Sequence, residues 1–148
     1  MFRKAAKLRN EMLEEGFTDN GGAIHSAERI LNLLGLRLKY SDLSHMNNLR
    51  SWERAEFSIE ALAAYKAGNT IVIEHVSPIR DFTRKAIEKI DDGASDEQLE
   101  DFVKINYRLV LLTPDEALRL NQQNRSKMMP DRLERAGIEL AKIVEPPL

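Results

Sequence analysis

The sequence contains no cysteine. That excludes disulfide staples and every thiolate metal site, including the structural zinc held by cysteine pairs. Any cation has to be held by carboxylates, amides and the three histidines, His25, His45 and His75. Those donors suit Mg2+ or Mn2+ first, with Zn2+ or Ni2+ as borderline alternatives. No stretch approaches the apolar length needed to span a bilayer. The charged start, Met1-Phe2-Arg3-Lys4-Ala5-Ala6-Lys7, lacks the apolar segment of a secretory signal and reads better as an amphipathic helix. Nor is there a surplus of one charge. The net formal charge is -2, which excludes a strongly basic nucleic-acid binder and leaves any attraction to phosphate to a local patch. Repeats and low-complexity segments are absent as well. What is there, 43% hydrophobic and 31% charged residues over 148 positions, suits one soluble domain with a helical extension. The expectation is a cytoplasmic protein with no membrane partner.

The first half reads as helices. Phe2, Ala5, Ala6, Met12 and Leu13 share a face, and Gly16 offers a stop. A turn is expected at residues 18–22. The next helix carries Ala23, Ala27, Ile30, Leu31, Leu34 and Leu38, with Gly35 weakening its end. After Ser41-Asp42 a third helix is expected to align Trp52, Ala55, Ile59, Leu62 and Ala63, stopping near Gly68-Asn69.

The pattern then changes period. Thr70-Ile71-Val72-Ile73 is a β-branched run after a turn signal, and it leads into Glu74-His75. Ser77-Pro78 opens a helix with Ile79, Phe82, Thr83, Ala86, Ile87 and Ile90 inward, ended by Asp91-Asp92-Gly93. A capping box at Ser95–Gln98 starts another, with Leu99, Phe102 and Val103 inward and Asn106 at its end. Residues 108–112 form the second strand candidate. Thr113-Pro114-Asp115-Glu116 starts a helix running to about Ser126, and a short helix follows around Arg132–Arg135 before Pro146-Pro147. The expected fold class is α+β and mostly helical: a helical region over 1–69, then strand, helical insertion, strand and helix over 70–148, together one compact unit.

Four features follow one another along those elements. Glu74-His75 ends the first strand, Asn106 stands before the second, and Asn124-Arg125-Ser126-Lys127 lies at the end of the last long helix. Phosphodiester hydrolysis needs a base for water and a cation for the charge that develops on phosphoryl and leaving oxygens. A histidine beside a carboxylate at a strand end suits this, with a helix amide to complete a metal site and a Lys or Arg to hold phosphate. Seven Lys/Arg against four acids between Phe102 and Arg135 add a modest local surplus.

The order Glu-His-Val-x-Pro, then Asn-x-x-Leu-Val-Leu-Leu-Thr, then Asn-Arg-Ser-Lys resembles the HNH (ββα-metal) nuclease family, most of all the HNH domain of RNA-guided CRISPR effector nucleases. The resemblance spans residues 70 to about 130 and implies a metal-dependent endonuclease acting on DNA. It implies that His75 is the general base, and that Glu74 and Asn124 hold one divalent cation, with Mg2+ first in line. Asn106 would pin the loop that aims His75, and Lys127 and Arg125 would touch phosphate. A protein partner or homodimer is compatible with it.

Plainer readings stand beside these. His75 could be a strand-end histidine satisfied by the backbone, Glu74 a solvated acid, and Asn106 a helix cap in the left-handed region. Asn121, one turn before Asn124, is a substitute ligand. His25 and His45 read as ordinary, Trp52 as packing, and the acids between Glu88 and Asp101 as a solvated face. The functional alternative is an HNH-like fold used for binding, with its nuclease site degenerate or dependent on a partner.

Overall fold

A computed structural model describes residues 1–17, 23–123 and 127–142. The turn expected at 18–22 and the proline pair at 146–147 lie outside them. The fold is α+β and mostly helical. In chain order come α1 (Phe2–Glu14), α2 (Ala23–Lys39), a 3-10 helix (Met46–Ser51), α3 (Ile59–Lys66), β1 (Val72–His75) and α4 (Ile79–Asp91). Next are α5 (Asp96–Asn106), β2 (Leu109–Leu112), α6 (Pro114–Gln123) and α7 (Arg132–Arg135).

Two compact units divide the chain, and their boundaries do not fall at 69/70. One comprises Met1–Leu43 with Ile79–Tyr107, the other Ser44–Pro78 with Arg108–Leu148. The reason is packing: the helices inserted between the strands share a core with the N-terminal helices.

The helical unit is α1, α2, α4 and α5, with α2 packed on the other three. Its core collects Phe2, Ala6, Ala27, Leu31, Phe82, Ala86, Ile87, Leu99, Val103 and Tyr107, the apolar stripes that helical spacing places inward. The capping box of α5 forms in full: Ser95 Oγ accepts from Gln98 N at 3.1 Å, and Gln98 Oε1 accepts from Ser95 N at 2.9 Å. The acids from Glu88 to Asp101 are exposed. Gly35 does not end α2, which continues to Lys39. Its missing side chain instead admits the Tyr107 ring, which lies where a Cβ would be.

The second unit is built around β1 and β2, antiparallel with Val72, Ile73, Glu74 and His75 opposite Leu112, Leu111, Val110 and Leu109. Val110, Leu112, Leu120, Leu133, Ala136 and Ile138 form its core, joined by Val72, Val76 and Leu140. The expected third helix is divided. Residues from Trp52 to Ser58 are extended or turned, because Glu56 and Ser58 pair with the backbone of Leu111 on the free edge of β2. Only α3 is helical there, started by Ser58, whose Oγ accepts from Ala61 N at 2.9 Å. The same hydroxyl donates to Glu116 Oε1, which also accepts from Thr113 N at 2.9 Å. One buried carboxylate therefore serves the starts of both α3 and α6.

Candidate functional site

Alternation along β1 decides which way each candidate points. Val72 and Val76 pack into the core that includes Leu120 of α6 and Leu133 of α7. Glu74 has the same parity and faces that side, whereas His75 leaves on the opposite face of the strand pair. The ladder runs unbroken through both residues and on to Val76, whose N–H donates to Arg108 O at 2.9 Å. No sharp turn separates the two side chains.

His75 is half-buried, and burial pushes its imidazole down to about 4. It is therefore neutral at pH 7, the form able to accept a proton. Burial also pushes the Glu74 carboxyl above its ordinary value, opposed by a hydrogen bond from the Asn121 side chain and by the charge of Arg132.

Arg132 organises this region. It is 2% exposed, and its Nη1 donates to the carbonyls of His75 at 3.1 Å and Val76 at 3.0 Å. Nη2 donates to Leu120 O at 3.4 Å and Asn121 Oδ1 at 3.3 Å. The guanidinium thus ties the end of β1 to the last turn of α6, where a helix's carbonyls lack intrahelical partners and favour a cation. Asn121 becomes a relay, its oxygen on Arg132 and its amide N–H on Glu74. Arg132 is placed by α7, which Gly137 closes at φ 70°: Gly137 N donates to Glu134 O and Ile138 N to Leu133 O, both at 3.0 Å. That left-handed residue turns Ile138 back into the core.

The remaining candidates are placed as follows. Asn106 is the last residue of α5, in the helical unit, and its Nδ2 donates to Phe102 O at 2.9 Å. It is not a left-handed cap; the cap is Tyr107, at φ -79°. Lys127 is exposed beyond the end of α6. Asn124 and Arg125 lie outside the described residues. His45 caps the 3-10 helix, Nδ1 accepting from Asn47 N at 3.1 Å. The local cationic surplus is smaller than the sequence suggests, since Arg132 is buried and Arg108 makes a two-pronged pair with Glu56 at 2.8 and 2.7 Å. In the sequence Arg132 counts only as one cation among seven. A signal was present: it stands four residues before buried Ala136, on an inward helical stripe where a cation needs a reason to be.

Among the described residues no group of three or more His, Cys, Asp or Glu converges as a metal cluster. A hard divalent cation needs several oxygen donors, and Glu74 offers the one carboxylate here while Asn121 turns its oxygen to Arg132, so the described residues by themselves do not fit such an ion. In this structure that carboxylate has Arg132 as its cation. No helix is long and apolar enough to cross a membrane. Set against known protein families, curated proteins and solved structures, the chain matches none.

Proposed function

We propose that this protein is a metal-dependent endonuclease of the HNH type that hydrolyses DNA phosphodiester bonds in the cytoplasm. The observation that carries the reading is the strand–strand–helix order of β1, β2 and α6, with Glu74-His75 at the paired end of β1 and an α6 amide on Glu74. Neutral His75 accepts a proton from the attacking water. Arg132 holds the carbonyls of His75 and Val76, so the backbone that carries the base is fixed before substrate arrives. Lys127, exposed after α6, reaches for phosphate, with Arg125 beside it in sequence. By the resemblance, Glu74 and Asn124 would be the residues to hold a divalent cation, Mg2+ before Mn2+, Zn2+ or Ni2+, whose charge would stabilise the phosphoryl and leaving oxygens.

A second reading is a module of this fold that binds nucleic acid or a protein partner without cutting. Arg132 favours it, because a carboxylate whose charge is already offset has less need of a metal. Nicking of supercoiled plasmid in Mg2+, Mn2+ or Ni2+ separates the two. The nuclease reading expects activity in the wild type and a loss of at least about a hundredfold in His75→Ala, the scale of general-base catalysis. Equal inactivity of both proteins in every metal leaves the second reading.

A further inference from the structure

We propose that Arg132, in place of Asn106, is the positioning residue for His75: its guanidinium fixes the peptide unit that aims the imidazole. The inference deepens the nuclease reading and rests on it for the reaction, while its geometry does not depend on cleavage.

The direction of a strand side chain is set by the planar peptide units on either side of its Cα. At His75 both are held. The unit before it lies in the ladder, where Glu74 stands opposite Val110. The unit after it is gripped at both of its polar atoms. His75 O accepts from Arg132 Nη1 at 3.1 Å, while Val76 N donates to Arg108 O at 2.9 Å. In a regular strand, successive carbonyls point to opposite edges. Here Val76 O accepts from the same Nη1 at 3.0 Å, so consecutive carbonyls converge on one nitrogen. The chain bends at Val76 and Ser77, and the guanidinium holds that bend closed. Its other nitrogen, on Leu120 O and Asn121 Oδ1, anchors the clamp to α6. A rigid planar fork of N–H donors can serve all of these acceptors at once, which the single ammonium of a lysine cannot. At 2% exposure the clamp is also kept from water that would compete for the carbonyls. The asparagine to which the resemblance gives this task is spent elsewhere, since Asn106 Nδ2 donates to Phe102 O one turn back in α5. With α4 and α5 inserted between the strands, the pin for the base comes from α7 instead of from the residue at the end of α5.

The experiment compares wild type, Arg132→Lys, Asn106→Ala and Leu133→Ala as full chains. Leu133 is the neighbour of Arg132 on α7 and is buried in the core of the same unit, so its variant reports what a loss of stability does by itself. The first readout is the His75 ring in proton–nitrogen NMR spectra. Arg132→Lys should shift and broaden its signals, while Asn106→Ala and Leu133→Ala should leave them as in wild type. The second readout is the initial rate of plasmid nicking over a range of plasmid concentrations. Arg132→Lys should lower kcat about a hundredfold, the scale of misplacing a reacting group by about 1 Å, with KM little changed. Leu133→Ala should keep both constants. The proposal is overturned if the ring signals stay put in Arg132→Lys, if Leu133→Ala moves them as far, or if Asn106→Ala moves them. It is also overturned if Arg132→Lys nicks as fast as an active wild type. Should Arg132→Lys fail to fold, wild type decides through its guanidinium. Separate, slowly exchanging Arg132 Nη–H signals with cross-peaks to Val76 support the clamp, and one averaged signal overturns it. Ring signals that move as expected, in a wild type that nicks in no metal, would retire the nuclease reading and leave the positioning of His75 by Arg132 standing.

Discussion

Gly35→Ala gives the sharpest test of how the helical unit is packed. In an exposed helix interior the exchange would stabilise by about 1 kcal/mol through helix preference alone. Here the new methyl would fall inside contact distance of Tyr107 Cγ and Cδ2 and 2.7 Å from Cδ1. The ring has little room to yield. It is 1% exposed, meets Tyr40 edge-on at 6.0 Å and Phe82 at 6.3 Å, and donates its hydroxyl to Asn32 Oδ1 at 2.6 Å. Overpacking of this kind costs about 1–3 kcal/mol, and a ring shift that breaks the hydroxyl bond adds about 1–3 kcal/mol. Subtracting the helix gain leaves a destabilisation of about 3 kcal/mol as the expected net. Urea unfolding followed by far-ultraviolet circular dichroism measures it as a lower midpoint at unchanged slope. Placing Gly35→Ala in a Tyr107→Leu background should cost clearly less than in wild type, since the two groups occupy one space. A Gly35→Ala variant as stable as wild type, or more so, would refute the reasoning.

Two further outcomes follow from buried polar groups in the other unit. His75 titrates at about 4 when folded against an ordinary 6.5, so between those values the unfolded chain binds more protons. Its neutral form is fully accommodated above about pH 6.5, and about 3 kcal/mol of stability is lost as pH falls through the folded value. Unfolding of wild type and His75→Gln from pH 4 to 7.5 should show the steeper fall in wild type; an imidazole NMR signal titrating near 6.5 would count against it. Glu116→Ala leaves the Thr113 amide and the Ser58 hydroxyl without their shared acceptor, and should cost about 2–3 kcal/mol in urea unfolding. Glu116→Gln should lose less than that, and equal losses would show that the acceptor oxygen is unimportant.

Local chemistry made much of this fold legible. The capping box at Ser95, the start at Thr113-Pro114 and the short helix at Arg132–Arg135 depend on neighbours a few residues apart, and all were readable. The β-branched run begins two residues before the strand itself, Val72–His75. Thr70 and Ile71 have strand-like side chains, but the span of a strand is set by its partner, and Leu109 and Val110 lie opposite His75 and Glu74. The single helix expected around Trp52–Ala63 failed for a similar reason. Its apolar spacing is helical, yet Glu56 and Ser58 find backbone partners at Leu111, far along the chain. Of the candidate site, the adjacency of Glu74 and His75 was visible. The buried guanidinium joining their strand to α6 was not, because nothing near position 132 in sequence names His75, Val76 or Asn121 as its partners.

The inserted pair α4 and α5 has a consequence for how the candidate site comes into being. β1 and β2 are joined through residues 76–108, a connection far longer than a hairpin turn, and ordering a floppy connection of that length carries an entropic cost. Both ends of the insertion, Ile79 and Tyr107, belong to the helical unit. When that unit folds, the long connection is replaced by a rigid staple whose ends are already set. Residues 1–43, which carry none of the candidate catalytic groups, thereby take part in bringing the strand with His75 to its partner. Deleting them would strand α4 and α5 with Phe82, Ile87, Leu99 and Val103 uncovered and would reopen the loop. The N-terminal helices, silent in any motif, act as a folding aid for the hairpin at a distance in sequence.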